Sequence, residues 1–210
     1  MEKIAKSGLY YPNKIARIAI LGLEEVVGRN GMKVIFNMAG LPDLIENLPP
    51  ENLARDFDFA DFSAINGALE EMYGPRGGRV LALRAGKICF DGFLKSFIDA
   101  AGAEKLLSDN IPLNVKMSQG MPVMAKIFSE TSDQLTTVVE KEDHFISIVH
   151  CCPVCYGRHT EKPACSMALG LIQASLNWVS GGKEFSVVQR TAKSVGDETC
   201  SFEISKEPIS

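Results

Sequence analysis

His150-Cys151-Cys152-Pro153-Val154-Cys155-Tyr156-Gly157-Arg158 is the stretch from which the rest of the chain can be read, with echoes at Cys165 and at Gly196-Asp197-Glu198-Thr199-Cys200. Five of the six cysteines lie between positions 151 and 200. The opening residues Met1 to Lys6 lead into polar sequence without an apolar signal region, and no run approaches the roughly 20 apolar residues that span a bilayer. A cytoplasmic protein with no membrane contact is therefore expected. In that reducing compartment clustered thiols point to metal or redox chemistry rather than to structural disulfides.

The stretch follows a β-rich run. Leu135, Thr137 and Val139 alternate with polar neighbours, and after Lys141-Glu142-Asp143 the segment His144 to His150 continues in the same period, so two antiparallel strands joined by a charged turn are expected. His144 and His150 share a strand face with Ile146 and Ile148, which would turn both imidazoles toward the core. Downstream, Cys165, Ala168, Leu169, Ile172, Leu176 and Val179 repeat every 3.6 residues, and Met167, Leu171, Ala174 and Trp178 cover much of the other side. A helix over about Ala164 to Val179, apolar nearly all round, belongs in a core or a subunit interface. Gly181-Gly182 ends it. Two further strands carry Phe185, Val187 and Gln189, then Cys200, Phe202 and Ile204.

Upstream the pattern is helical. Pro12-Asn13 starts a helix that Gly28 is expected to stop. Short segments at Met32 to Met38 and Leu41 to Leu48 precede Pro49-Pro50. Ala60 to Tyr73 and Val80 to about Ala101 read as helices, and Gln119 to Glu130 as another. Between the first two, Tyr73-Gly74-Pro75-Arg76-Gly77-Gly78-Arg79 reads as a tight connection; an anion cradle on its amides is the alternative, although no P-loop ending follows. Phe90, Phe93, Leu94, Phe97 and Ile98 concentrate large side chains on the long helix. Such a stripe is core, or the wall of an apolar ligand pocket with Phe90, Phe93 and Phe97 as its contacts. Helices, hairpin, helix, hairpin make an α+β chain with helices packed on a small antiparallel sheet. Residues 1–130 form the mostly helical part and 131–210 the α+β core, one continuous domain of 210 residues.

With 46 % hydrophobic and 23 % charged residues the chain can bury a full core. A net charge of −4 offers no general attraction to phosphate backbones, so nucleic acid is not an expected partner.

The run from Cys152 to Ile204, with CPVCYGR, EKPACSMALGLIQASLNWVSGGKEF and GDETCSFEI, resembles the 4-vinyl reductase domain, which occurs in a bacteriochlorophyll-biosynthesis protein, in phenol-sensing activators and in predicted hydrocarbon-binding proteins. The resemblance implies a fold shared with the small subunits of the TRAPP vesicle-tethering complex and with haem-based nitric-oxide sensors, a homodimer, and a pocket for small hydrophobic molecules between helices and sheet. In the phenol sensors a zinc ion is held by four ligands, of which the first and last fall here on Cys165 and Cys200. The middle two fall on Gln189 and Ala192, neither of which is a useful zinc ligand. Cys152 and Cys155, at the C-x-x-C spacing that lets two thiolates grip one ion, can complete a four-cysteine site with Cys165 and Cys200. Inert packing and a redox pair are the competing readings of these thiols, the latter lacking the helix start that a thioredoxin-type motif uses. His150 is a further candidate ligand, and Arg158 and Asp197 are candidates to orient the site. Cys89 reads as core.

The expected function is non-enzymatic binding or sensing of a small hydrophobic molecule (hydrocarbon, aromatic or tetrapyrrole) by a dimer with a cysteine zinc site. The alternatives are a reductase or accessory factor in tetrapyrrole metabolism and a metal-dependent assembly module. A vinyl reduction needs a hydride or electron source, and no nucleotide-binding glycine motif follows a strand here.

Overall fold

The computed structural model describes residues 4–93, 96, 97, 105, 108 and 110–209. Strand β1 (Tyr10–Pro12) runs directly into helix α1 (Asn13–Met38), and a single 3-10 turn (Pro42–Ile45) separates α1 from β2 (Arg55–Asp58) and α2 (Phe59–Phe93). Then come α3 (Leu113–Thr131), β3 (Thr136–Glu140), β4 (His144–Val149), α4 (Ser166–Ser180), β5 (Phe185–Thr191), a 3-10 turn (Lys193–Val195) and β6 (Cys200–Pro208). The chain is α+β, with helices packed on an antiparallel four-stranded sheet of order β3-β4-β6-β5. A second, two-stranded sheet pairs β1 with β2.

Two of the expected helix boundaries become bends. Gly28 (φ 75°, ψ 160°) and Gly74 (φ 74°, ψ 160°) each interrupt a helix that then resumes, so Met32 to Met38 is the second limb of α1. Positive φ is open to glycine because it has no Cβ, which is why the chain turns there without ending. Pro75 comes after Gly74 at the first position of the new limb, where a missing N–H costs nothing. The motif Tyr73 to Arg79 is thus a connection between two limbs of one helix. The expected end of α2 near Ala101, with Leu94 and Ile98, lies outside the described residues.

Helix α2 packs against both α1 and α4, and glycines set how closely. A Cβ at Gly86 would stand 2.0 Å from the Met167 carbonyl oxygen, and one at Gly170 the same 2.0 Å from that of Leu83, so the backbones of α2 and α4 touch where they cross. Across the sheet, Phe145, Val149, Phe202, Ile204, Phe185 and Val187 face the helices and are buried. This corrects the expected orientation of β4. The buried positions are Phe145, Ser147 and Val149, and the face with His144, Ile146, Ile148 and His150 is only partly covered. Both faces of that strand carry apolar residues, so the period alone did not decide which was inward. Among the described residues no helix is long and apolar enough to cross a membrane.

Candidate ligand cavity and metal centre

Four sulfurs meet at one end of the sheet. Cys152 and Cys155 lie in the turn after β4, Cys165 immediately precedes α4, and Cys200 begins β6 beside Val149 of β4. Their ligand atoms all lie within 4.8 Å of one another, with Sγ–Sγ separations of 3.4 Å for Cys152–Cys165, 3.1 Å for Cys155–Cys165 and 3.6 Å for both Cys165–Cys200 and Cys155–Cys200. All four residues are buried. Sulfurs each about 2.3 Å from a tetrahedral zinc would stand about 3.8 Å apart, so the cluster is close to the size of such a cage and could contract or expand onto it by rotamer adjustment. Four buried cysteines are thus close enough to bind a metal.

The thiols act on one another. Hydrogen bonds from Cys152, Cys165 and Cys200 push the Cys155 thiol down, whereas Cys152 is pushed up, chiefly by its bond to Cys155, and Cys165 chiefly by its bond to Cys152. One favoured thiolate shared among four sulfurs is the arrangement a divalent cation would complete by deprotonating the rest.

The surroundings hold the cage in place. The Lys193 amide donates to Cys200 Sγ at 3.3 Å. Gln189 accepts from the Cys165 amide through Oε1 at 3.2 Å and donates to the Thr191 carbonyl at 3.1 Å. Ala192 is fully buried and its amide donates to the Asp197 carboxylate at 2.8 Å. Asp197 therefore shapes the loop that carries the cluster. Arg158 donates to the Val154 carbonyl at 3.2 Å and pairs with Glu70 of α2 at 3.0 Å, with both side chains largely buried. Ser63 of α2 donates its hydroxyl toward the Tyr156 carbonyl at 2.7 Å and toward that of Val154 at 3.1 Å. Neither Ser63 nor Glu70 was visible as a site residue in the sequence, because each lies some ninety positions from its partner and carries no local signature. His150 stands outside the cluster, with Nε2 2.9 Å from Thr137 Oγ1. Cys151 is likewise outside it, and only half-buried.

Beside the cage lies a cavity of about 110 Å³, lined by α1, α2, α3, α4 and the inner face of the sheet. Cys152, Pro153 and Val154 form part of its wall, so the turn that carries the cage also closes the cavity. Phe62, Phe93, Phe128, Met121, Met124 and Met167 supply much of the apolar lining. Of the three phenylalanines expected to line a pocket, Phe93 is in this wall. Phe97 stacks behind Phe93 at 5.0 Å, and Phe128 stacks on its other side at 4.9 Å. Phe90 faces away, into an open recess beside Trp178 between α2, α4 and β5. Cys89 also lines the cavity, where burial pushes its thiol up to about 12, and it donates to the Ile18 carbonyl at 3.4 Å.

No family model matches the sequence, the 4-vinyl reductase domain included, and a search of characterised proteins finds no match. Solved structures do match in fold. A protein studied for the function of heme distortion in the H-NOX family superposes with a TM-score of 0.60 at 13 % identity, over 95 % of this chain and 97 % of that one. A second, studied for protein-induced porphyrin distortion, gives 0.58 at 13 % identity, over 92 % and 99 %. An H-NOX protein from S. oneidensis in the Fe(II)NO ligation state gives 0.53 at 14 % identity, again over 92 % and 99 %. At these identities the likeness is one of fold.

Proposed function

We propose that this chain binds a small apolar molecule without transforming it, in a domain stapled by zinc on Cys152, Cys155, Cys165 and Cys200 and assembled as a homodimer. The observation that carries the reading is the shared turn: the segment after β4 supplies two of the four thiols of the cage and part of the wall of an apolar cavity. Four sulfurs fill the tetrahedral shell of a zinc ion, the pattern of a structural rather than a catalytic site. The exposed apolar side chains Leu21 and Val34 of α1 motivate the dimer.

The H-NOX neighbours raise haem as the ligand, and the residues present do not fit it. The chain has three histidines, His144, His150 and His159, and none lines the cavity. The other wall residues able to hold haem iron are poorly disposed: Met121, Met124 and Met167 lack the histidine that accompanies an axial methionine, Cys152 belongs to the sulfur cage, burial pushes the Cys89 thiol up, and the Tyr11 hydroxyl donates to Gln134. Among the described residues no cationic side chain lines the cavity to meet propionates. Its volume is also below the roughly 300 Å³ at which pockets for drug-sized ligands begin. The tetrapyrrole alternatives, a haem sensor or a chlorophyll-pathway factor, are weakened by the same facts.

Native mass spectrometry of protein purified without chelator tests the proposal in one measurement. The expected species is two chains carrying one zinc each and a ligand well under the mass of a porphyrin. A single chain mass would remove the dimer. Metal below about a tenth of an equivalent would remove the zinc.

A further inference from the structure

We propose that the cavity selects a neutral molecule of about one-ring size that bears a single uncharged oxygen, and that Ser147 is the residue that recognises this oxygen. The inference rests on the ligand-binding reading above and specifies its chemistry. Among the described residues no charged side chain lines the cavity, and a charge moved there from water would meet no partner among them to offset its desolvation. The ligand is therefore neutral. Its size follows from volume: an apolar cavity of about 150 Å³ accommodates benzene, and this one is about 110 Å³.

Among the described residues the hydroxyl and amide side chains in the wall are Tyr11, Gln134, Thr136, Ser147 and Ser175, and four of these five are already engaged. The Tyr11 hydroxyl donates to Gln134 Oε1, and Gln134 Nε2 donates to Thr136 Oγ1 at 3.2 Å. The Thr136 hydroxyl donates to the Gln134 carbonyl at 3.3 Å, and that of Ser175 to the Ile172 carbonyl at 2.7 Å, within its own helix. Ser147 differs. It is only 7 % exposed, it sits on the inward face of β4 between Phe145 and Val149, and its hydroxyl makes no hydrogen bond among the described residues. The hydroxyl is not sealed in the core but open to the cavity that Ser147 lines, and a strand interior flanked by Phe and Val has no structural need for serine. Its remaining direction is the cavity. A ligand hydroxyl or carbonyl placed there would satisfy Ser147 while the rest of the ligand meets apolar walls. A site with one polar contact discriminates against the isostere that lacks the oxygen, because that analogue leaves the serine unpaired.

The test uses two probes of the same shape, cyclohexanol and methylcyclohexane, titrated calorimetrically into the metal-loaded full chain. The wild type is expected to bind the alcohol roughly five- to tenfold tighter, the effect of one hydrogen bond to a neutral group. Ser147→Ala is expected to bind both alike, with the hydrocarbon affinity kept and Tm unchanged or raised; Ser147→Thr restores the preference. Equal binding of both probes by the wild type, persistence of the preference in Ser147→Ala, or a marked loss of Tm in that variant would each overturn the role of Ser147 while leaving the cavity a ligand site. Saturable binding of neither probe would overturn the ligand-binding reading itself, and this inference with it.

Discussion

Asp58 shows how one side chain can fix a junction. Its carboxylate accepts from the Ala60 amide at 2.7 Å, capping the first turn of α2, and from the Ser7 hydroxyl at 2.7 Å, with the Ser7 and Gly8 amides at 3.1 to 3.2 Å. Burial raises its pKa, but these donors outweigh it and hold the carboxyl below the usual carboxylate range. With the folded value below the unfolded one, its stabilisation is complete above about pH 4 and disappears as pH falls through the folded value. Asp58→Ala should cost about 1–2 kcal/mol at pH 7, as loss of a cap does. Asp58→Asn should cost less and flatten the fall of stability below pH 4; denaturant midpoints measured from pH 2 to 7 check both. A parallel slope in wild type and Asp58→Asn would show that this carboxyl does not titrate on unfolding. At this scale the cysteine cage was legible, because C-x-x-C places two thiols together by spacing alone and only Cys165 and Cys200 had to be brought in by the fold. The partners that hold it were not. Ser63, Glu70 and Gln189 are ordinary residues whose roles arise from contacts the chain makes only when folded.

At the scale of elements, helix α4 and the two hairpins could be read from periodicity, and the Gly181 cap, left-handed at φ 75°, ends α4 where the sequence placed its end. Gly28 and Gly74 misled because a glycine suits both a helix stop and a bend. The difference lies in the second limbs, where Met32, Ile35 and Phe36 after one glycine and Ala82 and Ala85 after the other find buried positions. The three- and four-residue strands β1 and β2 carry too few residues to show a period, and so were not legible. Nor was the crossing of α2 and α4, since Gly86 and Gly170 have no local task in their helices. Their spatial task is clear: each presents bare backbone to the other helix. Gly170→Ala should force the helices apart by enough to repack the cavity wall, destabilising by about 1–3 kcal/mol, the usual range for overpacked cores. Gly77→Ala is the control, because a Cβ there would meet nothing closer than the Tyr73 Cβ at 3.4 Å, an ordinary contact. Thermal denaturation should show a clear loss of Tm for the first and little change for the second. Equal Tm values for the two would mean that the crossing relaxes without cost.

For the whole molecule, the cage joins three points that are remote in sequence: the exit of β4, the start of α4 and the start of β6. A metal bound there closes the intervening loops, so its binding free energy becomes part of the free energy of folding. For a domain of this length each kcal/mol lost lowers Tm by about 2–4 °C, so removal of a structural zinc should lower it by about 10 °C or more. The consequence extends to the cavity. Cys152, Pro153 and Val154 stand in its wall, and a turn released from its metal no longer holds that wall in position. Chelation should therefore weaken binding of an apolar ring probe as well as lower Tm. Linkage requires the converse by the same factor: a saturating probe should raise the apparent affinity for the metal. Cys200→Ser should reproduce both effects of the chelator although Cys200 itself does not line the cavity, whereas a variant that only trims the wall, such as Val154→Ala, should weaken the probe and leave the metal in place. The decisive measurement is a pair of titrations, probe into metal-loaded and metal-free protein at a temperature where both are folded. Equal probe affinities in the two would mean that the cage stabilises the fold and nothing more, with the cavity formed by the helices alone.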